Sequence, residues 1–146
     1  MLKSNKKKGF SLIEQLCAMS IFFILSISII TIQLNNLRLK EYNKEILIYS
    51  SILEALKQEI LYNNSYDNVK EIYNSNKRYV TKEMLNISTI KNNNLNHIFS
   101  ESYDYKDTYL LLRLVDGEVL KIHMEIHVKL KKEEIIECEF NKGNYL

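Results

Sequence analysis

The sequence predicts an α+β fold in which one long N-terminal helix packs on a C-terminal antiparallel sheet. Three observations carry this. No Gly or Pro occurs between Phe10 and Tyr62, which leaves nothing to break a helix over that stretch. Within it Leu39, Tyr42, Ile46, Tyr49, Leu53, Leu56 and Ile60 recur at alternating spacings of three and four, the stripe of an amphipathic helix. Near the C-terminus Leu120, Ile122, Met124, Ile126, Val128 and Leu130 alternate with Lys121, His123, Glu125, His127 and Lys129, which is a strand with one buried face.

Five segments follow in order. Residues 1–9 form a basic leader containing Lys3, Lys6, Lys7 and Lys8 and no acid, ending at Gly9. Residues 10–34 are almost uninterruptedly apolar, long enough to cross a ~30 Å hydrocarbon layer as a helix. Residues 35–61 continue the helix as its amphipathic half. Glu41, Lys44, Glu45, Lys57 and Glu59 lie mostly off the apolar stripe, as expected of a helix laid on a sheet. A continuous helix from Phe10 to about Leu61 spans ~78 Å at ~1.5 Å per residue.

Residues 62–107 are rich in Asn, Tyr and Ser with weak periodicity. They read as a variable connection with short elements, the best helical candidate being Lys82–Ile90. Residues 108–146 read as a β-meander. Tyr109–Val115 forms one strand and Asp116-Gly117 a two-residue primed turn; the alternating strand follows, then Lys131-Lys132-Glu133 as a connection and Ile135–Phe140 as a third strand.

Composition excludes several classes. The chain carries 20 basic and 18 acidic side chains; without the four leader lysines the balance becomes 16 against 18. The basic character therefore belongs to the leader and points to no nucleic-acid site, and only Arg38, Arg78 and Arg113 supply guanidinium groups. Two cysteines, Cys17 in the apolar run and Cys138 near the far end, make no disulfide framework. No nucleophile–base arrangement, phosphate-binding glycine loop or CxxC element appears, so the reading is of a chain acted upon by an enzyme, with no cofactor and no metal. His123 and His127 share the outward face of their strand, but four residues at ~3.4 Å each put the imidazoles ~13 Å apart, too far for one zinc. That face reads as solvated.

The N-terminus carries the functional signal. The lysines hold it on the cytoplasmic side by the positive-inside rule. Glu14 stands alone among apolar residues, where an acid costs roughly 2.5–3.5 kcal/mol at mid-membrane, and intramembrane ionisable groups are functional candidates. A blander alternative is that Glu14, ~6 Å into the helix, snorkels to the interface. The apolar run exceeds the ~7–15 residues of a secretory h-region and no A-x-A site follows it.

The string Lys-Lys-Lys-Gly-Phe-Ser-Leu-Ile-Glu, ending at Glu14, resembles the processing and assembly signal of type IV prepilins and pseudopilins, over about Lys6 to Leu34. The resemblance implies cleavage after Gly9 by a membrane prepilin peptidase, N-methylation of Phe10, and pairing of the Phe10 amine with Glu14 of its own chain or a neighbour's. It also implies a pilin-like fold and, as partners, other pilin or pseudopilin subunits, an inner-membrane platform protein, an assembly ATPase and membrane lipid. The location implied is a single pass through the cytoplasmic membrane with the N-terminus inside, then an extracytoplasmic or cell-surface filament. Gln15 departs from the usual aliphatic residue, and Thr31 stands where many major pilins have proline, which favours a minor pilin or a pseudopilin. Pilus, type II secretion and competence-type systems are not distinguished. The rival reading is an uncleaved signal-anchor protein whose external helix forms a coiled coil in a scaffold or division role.

Overall fold

A computed structural model describes residues 12–129 and 133–143. It divides into two units, residues 1–43 and 44–146. Helix α1 covers Leu12–Gln58 and passes directly into one π-helical turn, Glu59–Asn63, close to the end expected from the sequence. In the first unit every large apolar side chain from Leu12 to Leu39 is exposed, from 73% for Leu12 to 50% for Leu34.

In the second unit Ile52, Leu53 and Leu56 of α1 and Ile60 of the π-turn are buried at 0–3% exposure. Burying one such side chain fully is worth about 1.5–3 kcal/mol. The predicted stripe therefore becomes core from Leu53 onward, with Tyr49 half-buried against it, whereas Leu39 and Tyr42 remain exposed. Ile52, outside the three–four series, is buried as well.

The connection 62–107 holds more regular structure than its composition suggests: α2 (Tyr66–Asn74), β1 (Tyr79–Thr81), a 3-10 turn at Lys82–Met84, α3 (Ile87–Asn92) and α4 (Leu95–Ile98). Its polar residues act as caps. Ser65, Asn86 and Asn94 each accept from a backbone N–H two or three residues on, at the starts of α2, α3 and α4. Asn76 ends α2 in the left-handed region with φ 62°, and Lys77 N–H bonds back to the Ile72 carbonyl at 3.3 Å. Val69, Ile72, Leu85, Ile90, Leu95 and Ile98 then join the core.

The sheet is antiparallel in the order β1-β2-β3-β4, with β2 at Tyr109–Val115, β3 at Val119–Lys129 and β4 at Glu133–Gly143. The three expected strands are present, and β1, from the connection, adds a fourth against β2. Leu110 and Leu112 of β2 and Leu120, Ile122, Met124, Ile126 and Val128 of β3 form the sheet's side of the core. This confirms the α+β reading: the buried stripe of the long helix lies against a four-stranded antiparallel sheet.

The primed turn is corrected. Val115 opposes Lys121, so residues 116–120 intervene, and neither Asp116 nor Gly117 has the positive φ such a turn requires. Side chains of α2 hold the tip instead. The Tyr66 hydroxyl donates to the Gly117 carbonyl at 2.9 Å, and Lys70 Nζ lies 2.6 Å from Asp116 Oδ2. That ammonium holds the Asp116 carboxyl below its usual range. At the other end the expected Lys131-Lys132-Glu133 connection is corrected in part: Glu133 belongs to β4, where it opposes Lys129, and Lys131 and Lys132 lie outside the described residues.

Near the end of β4 the buried Lys142 donates to the Leu61 carbonyl at 3.0 Å, which supplies a donor to the C-terminal turn of the long helix. Burial lowers its pKa.

Candidate functional site

Of the residues singled out in the N-terminal signal, Lys3, Lys6, Lys7, Lys8, Gly9 and Phe10 lie outside the described residues, and Glu14 lies within the first turn of α1. A carboxylate there faces the positive end of the helix dipole, a favourable placement. Its surroundings are apolar: Leu12, Ile13 and Leu16 are 73%, 71% and 57% exposed. Glu14 is the only charged side chain between Leu12 and Leu37.

The four hydroxyl side chains of that stretch are satisfied by the helix itself. Ser20, Ser26, Ser28 and Thr31 each donate to the carbonyl four residues back, at 2.8–2.9 Å. A hydroxyl bonded in this way asks nothing of a lipid environment. Among the described residues this is the one helix long and apolar enough to cross a membrane. It is an all-round apolar segment with a single ionisable group near one end, suited to lipid or to a bundle of like helices.

A second cluster sits on the outer face of the sheet, and here the expectation of a solvated face is corrected. Glu125 is 8% exposed and bridges three neighbours. Its Oε1 lies 3.2 Å from Arg113 Nη2 and 3.1 Å from His123 Nε2, and its Oε2 lies 3.3 Å from His127 Nε2. The far nitrogens continue outward, His123 Nδ1 to Glu139 at 2.7 Å and His127 Nδ1 to Glu133 at 3.1 Å. Lys129, with His127, holds the Glu133 carboxyl below its usual range.

Rings cover one end of this row. Tyr109 stacks on His127 at 4.7 Å between centroids, Tyr103 lies 4.2 Å from Tyr109, and Tyr79 lies 4.3 Å from Tyr103. Burial, followed by the nearby Tyr103, pushes the Tyr109 pKa up to about 12.

One buried carboxylate thus lies between the two histidines: His127 Nε2 is hydrogen-bonded to it, whereas His123 Nε2 is buried beside it without a hydrogen-bond partner. Among the described residues no group of three or more His, Cys, Asp or Glu side chains is arranged to hold a metal ion. Sequence reasoning missed Arg113 as the cation beside Glu125, because that contact depends on β2–β3 register, which places Arg113 opposite His123. Cys17 and Cys138 are both free thiols.

Residues 4–30 match the family model of the prokaryotic N-terminal methylation motif. No curated protein and no solved structure matches the chain.

Proposed function

We propose that this chain, whose N-terminus carries the type IV prepilin-type signal, is a minor pilin or pseudopilin: a structural subunit of a membrane-anchored filament. The observation that carries this reading is the coincidence of the methylation motif at residues 4–30 with a helical stretch, Leu12 to Leu34, that is apolar on all sides and bears one carboxylate, Glu14, in its first turn. The signal implies processing by a prepilin peptidase and assembly with other pilins.

In the proposed cycle the precursor inserts with the lysines inside. Hydrolysis of the Gly9–Phe10 peptide bond releases the leader and exposes an α-amine on Phe10, which is then methylated. Glycine suits the cleavage position because no Cβ obstructs approach to the backbone. The cationic amine and Glu14 of a neighbouring subunit then compensate each other inside the apolar bundle, where either charge alone is costly. Moving an apolar helix from lipid into a helical bundle gains little hydrophobic energy. An assembly ATPase acting through an inner-membrane platform protein supplies the work. On this reading the protein is a substrate and building block rather than an enzyme.

Mass spectrometry of the protein isolated from its own host tests the proposal. A chain beginning at N-methylated Phe10 is expected, and an intact Met1 would overturn it. Gly9→Val is expected to accumulate an inserted, uncleaved precursor, visible as a slower band on a gel; efficient cleavage of that variant excludes the proposed site. The coiled-coil rival is disfavoured because Leu53, Leu56 and Ile60, the second half of its seam, are buried within the 44–146 unit.

A further inference from the structure

We infer that the free edge of β4 is a docking strip for an amphipathic basic strand contributed by another protein. This does not depend on the filament reading. The observations are the openness of that edge, the incomplete cover over the core beside it, and the charge along its outer face.

β4 is an edge strand of eleven residues paired with β3 through eleven successive positions without a bulge. Among the described residues, no backbone hydrogen bond outside the sheet ladder involves β4. Proteins usually blunt such an edge by proline, a bulge, shortness or charge. This chain has no proline and the strand is long and regular, so charge is the device in use.

The core beside β4 is unfinished. Ile136, Cys138 and Phe140 point to the inner face yet are only partly buried, whereas their register partners Ile126, Met124 and Ile122 on β3 are buried at 0–1% exposure. Apolar side chains on an added strand would complete that layer. On the outer face Glu133, Glu137 and Glu139 have side chains 46%, 69% and 76% exposed, with Ile135 at 54% between the first two. Each glutamate already meets a histidine, and Glu133 also meets Lys129, yet their outer sides stay open.

An incoming strand should therefore be apolar on one face and carry Lys or Arg on the other. A second β4 is a poor occupant, because it would bring another row of glutamates against the same face. Like charges on adjacent strands oppose pairing and opposite charges favour it.

The test uses the full-length protein in detergent micelles and three eleven-residue peptides: alternating Lys and Val, alternating Glu and Val, and a block of Lys followed by Val. Binding is read by fluorescence anisotropy and location by amide hydrogen exchange. The Lys/Val peptide is expected to bind, to slow exchange in β4, and to lose about tenfold in affinity for Glu137→Lys/Glu139→Lys, which should gain affinity for the Glu/Val peptide. The exchange pattern of the free variant within β2 and β3 verifies that it is folded. The inference is overturned if no peptide binds, if the block peptide binds the wild type equally well, or if protection falls outside β4. Protection of β4 that appears without peptide and grows with protein concentration would assign the edge to a second copy and overturn the basic partner.

Discussion

Helix α1 contains two regions of the same secondary structure with opposite fates. From Leu12 to Leu34 its large apolar side chains are all at least half exposed within the chain; from Ile52 to Leu56 three are almost completely buried in their own domain. The difference lies in how apolar residues are distributed around the helix. The first stretch is apolar on every side, which no single sheet can cover, so its burial requires lipid or other helices. The second has one apolar face, backed by Glu45, Glu54 and Lys57, and one sheet suffices. Even within the second unit sidedness decides: Leu47 is 67% exposed a few residues from Ile52 at 2%.

The largest effect expected in this comparison is on assembly. Glu14→Leu removes the one charged side chain between Leu12 and Leu37, so membrane insertion should be at least as efficient as in the wild type and cleavage should persist. Incorporation into sheared filaments should collapse, since leaving one member of a buried pair unpaired costs ~3–5 kcal/mol. Normal incorporation would show that Glu14 does not pair with a neighbour's amine.

Next comes the core of the second region. A fragment of residues 36–146 is expected to be soluble and folded, and in it Leu56→Ala should cost about 2–5 kcal/mol in urea unfolding. Leu47→Ala should change stability by less than about 0.5 kcal/mol. Equal costs for the two would break the distinction drawn between the helix faces.

Smaller effects test the elements that hold the second region together. Asn76→Val should destabilise by about 1–2 kcal/mol, because a β-branched side chain opposes left-handed backbone. Asn76→Gly should be neutral or slightly stabilising. Thermal denaturation of the same fragment separates these outcomes.

The smallest effect is on pH dependence. The carboxyls of Asp116 and Glu133 titrate below their ordinary values of 3.8 and 4.5, held down chiefly by Lys70 and Lys129 respectively. The unfolded chain therefore takes up protons first. The stabilisation is complete above those ordinary values and is lost as pH falls through the lower folded-state values. Both groups are exposed, so the loss should be modest, and Asp116→Asn should flatten part of the acid limb of a stability–pH curve. An unchanged curve would mean that Lys70 contributes nothing at the hairpin tip.

The features legible in the sequence were those written over a few neighbouring residues. The Lys-Lys-Lys-Gly-Phe string, Glu14 inside an apolar run, the absence of helix breakers to Tyr62 and the alternation along β3 each depend on spacing along the chain, and spacing survives without knowledge of what lies opposite. Asn86 and Asn94 were legible in principle as caps, but the helices they start, at six and four residues, are too short to show a period.

By itself, then, the sequence determined the N-terminal signal, the order of helix and strands, and the sidedness of the long helix, because chain connectivity places those residues next to each other in any fold. Only the tertiary structure decided that Tyr79–Thr81 joins the sheet and that Tyr66 and Lys70 close the hairpin tip in place of a primed turn. It alone buried Glu125 between two histidines and Arg113, and left the inner side chains of β4 half covered. Those outcomes rest on contacts between residues from a few to about fifty positions apart, whose register is selected by how the whole core packs and is encoded in no local run of residues.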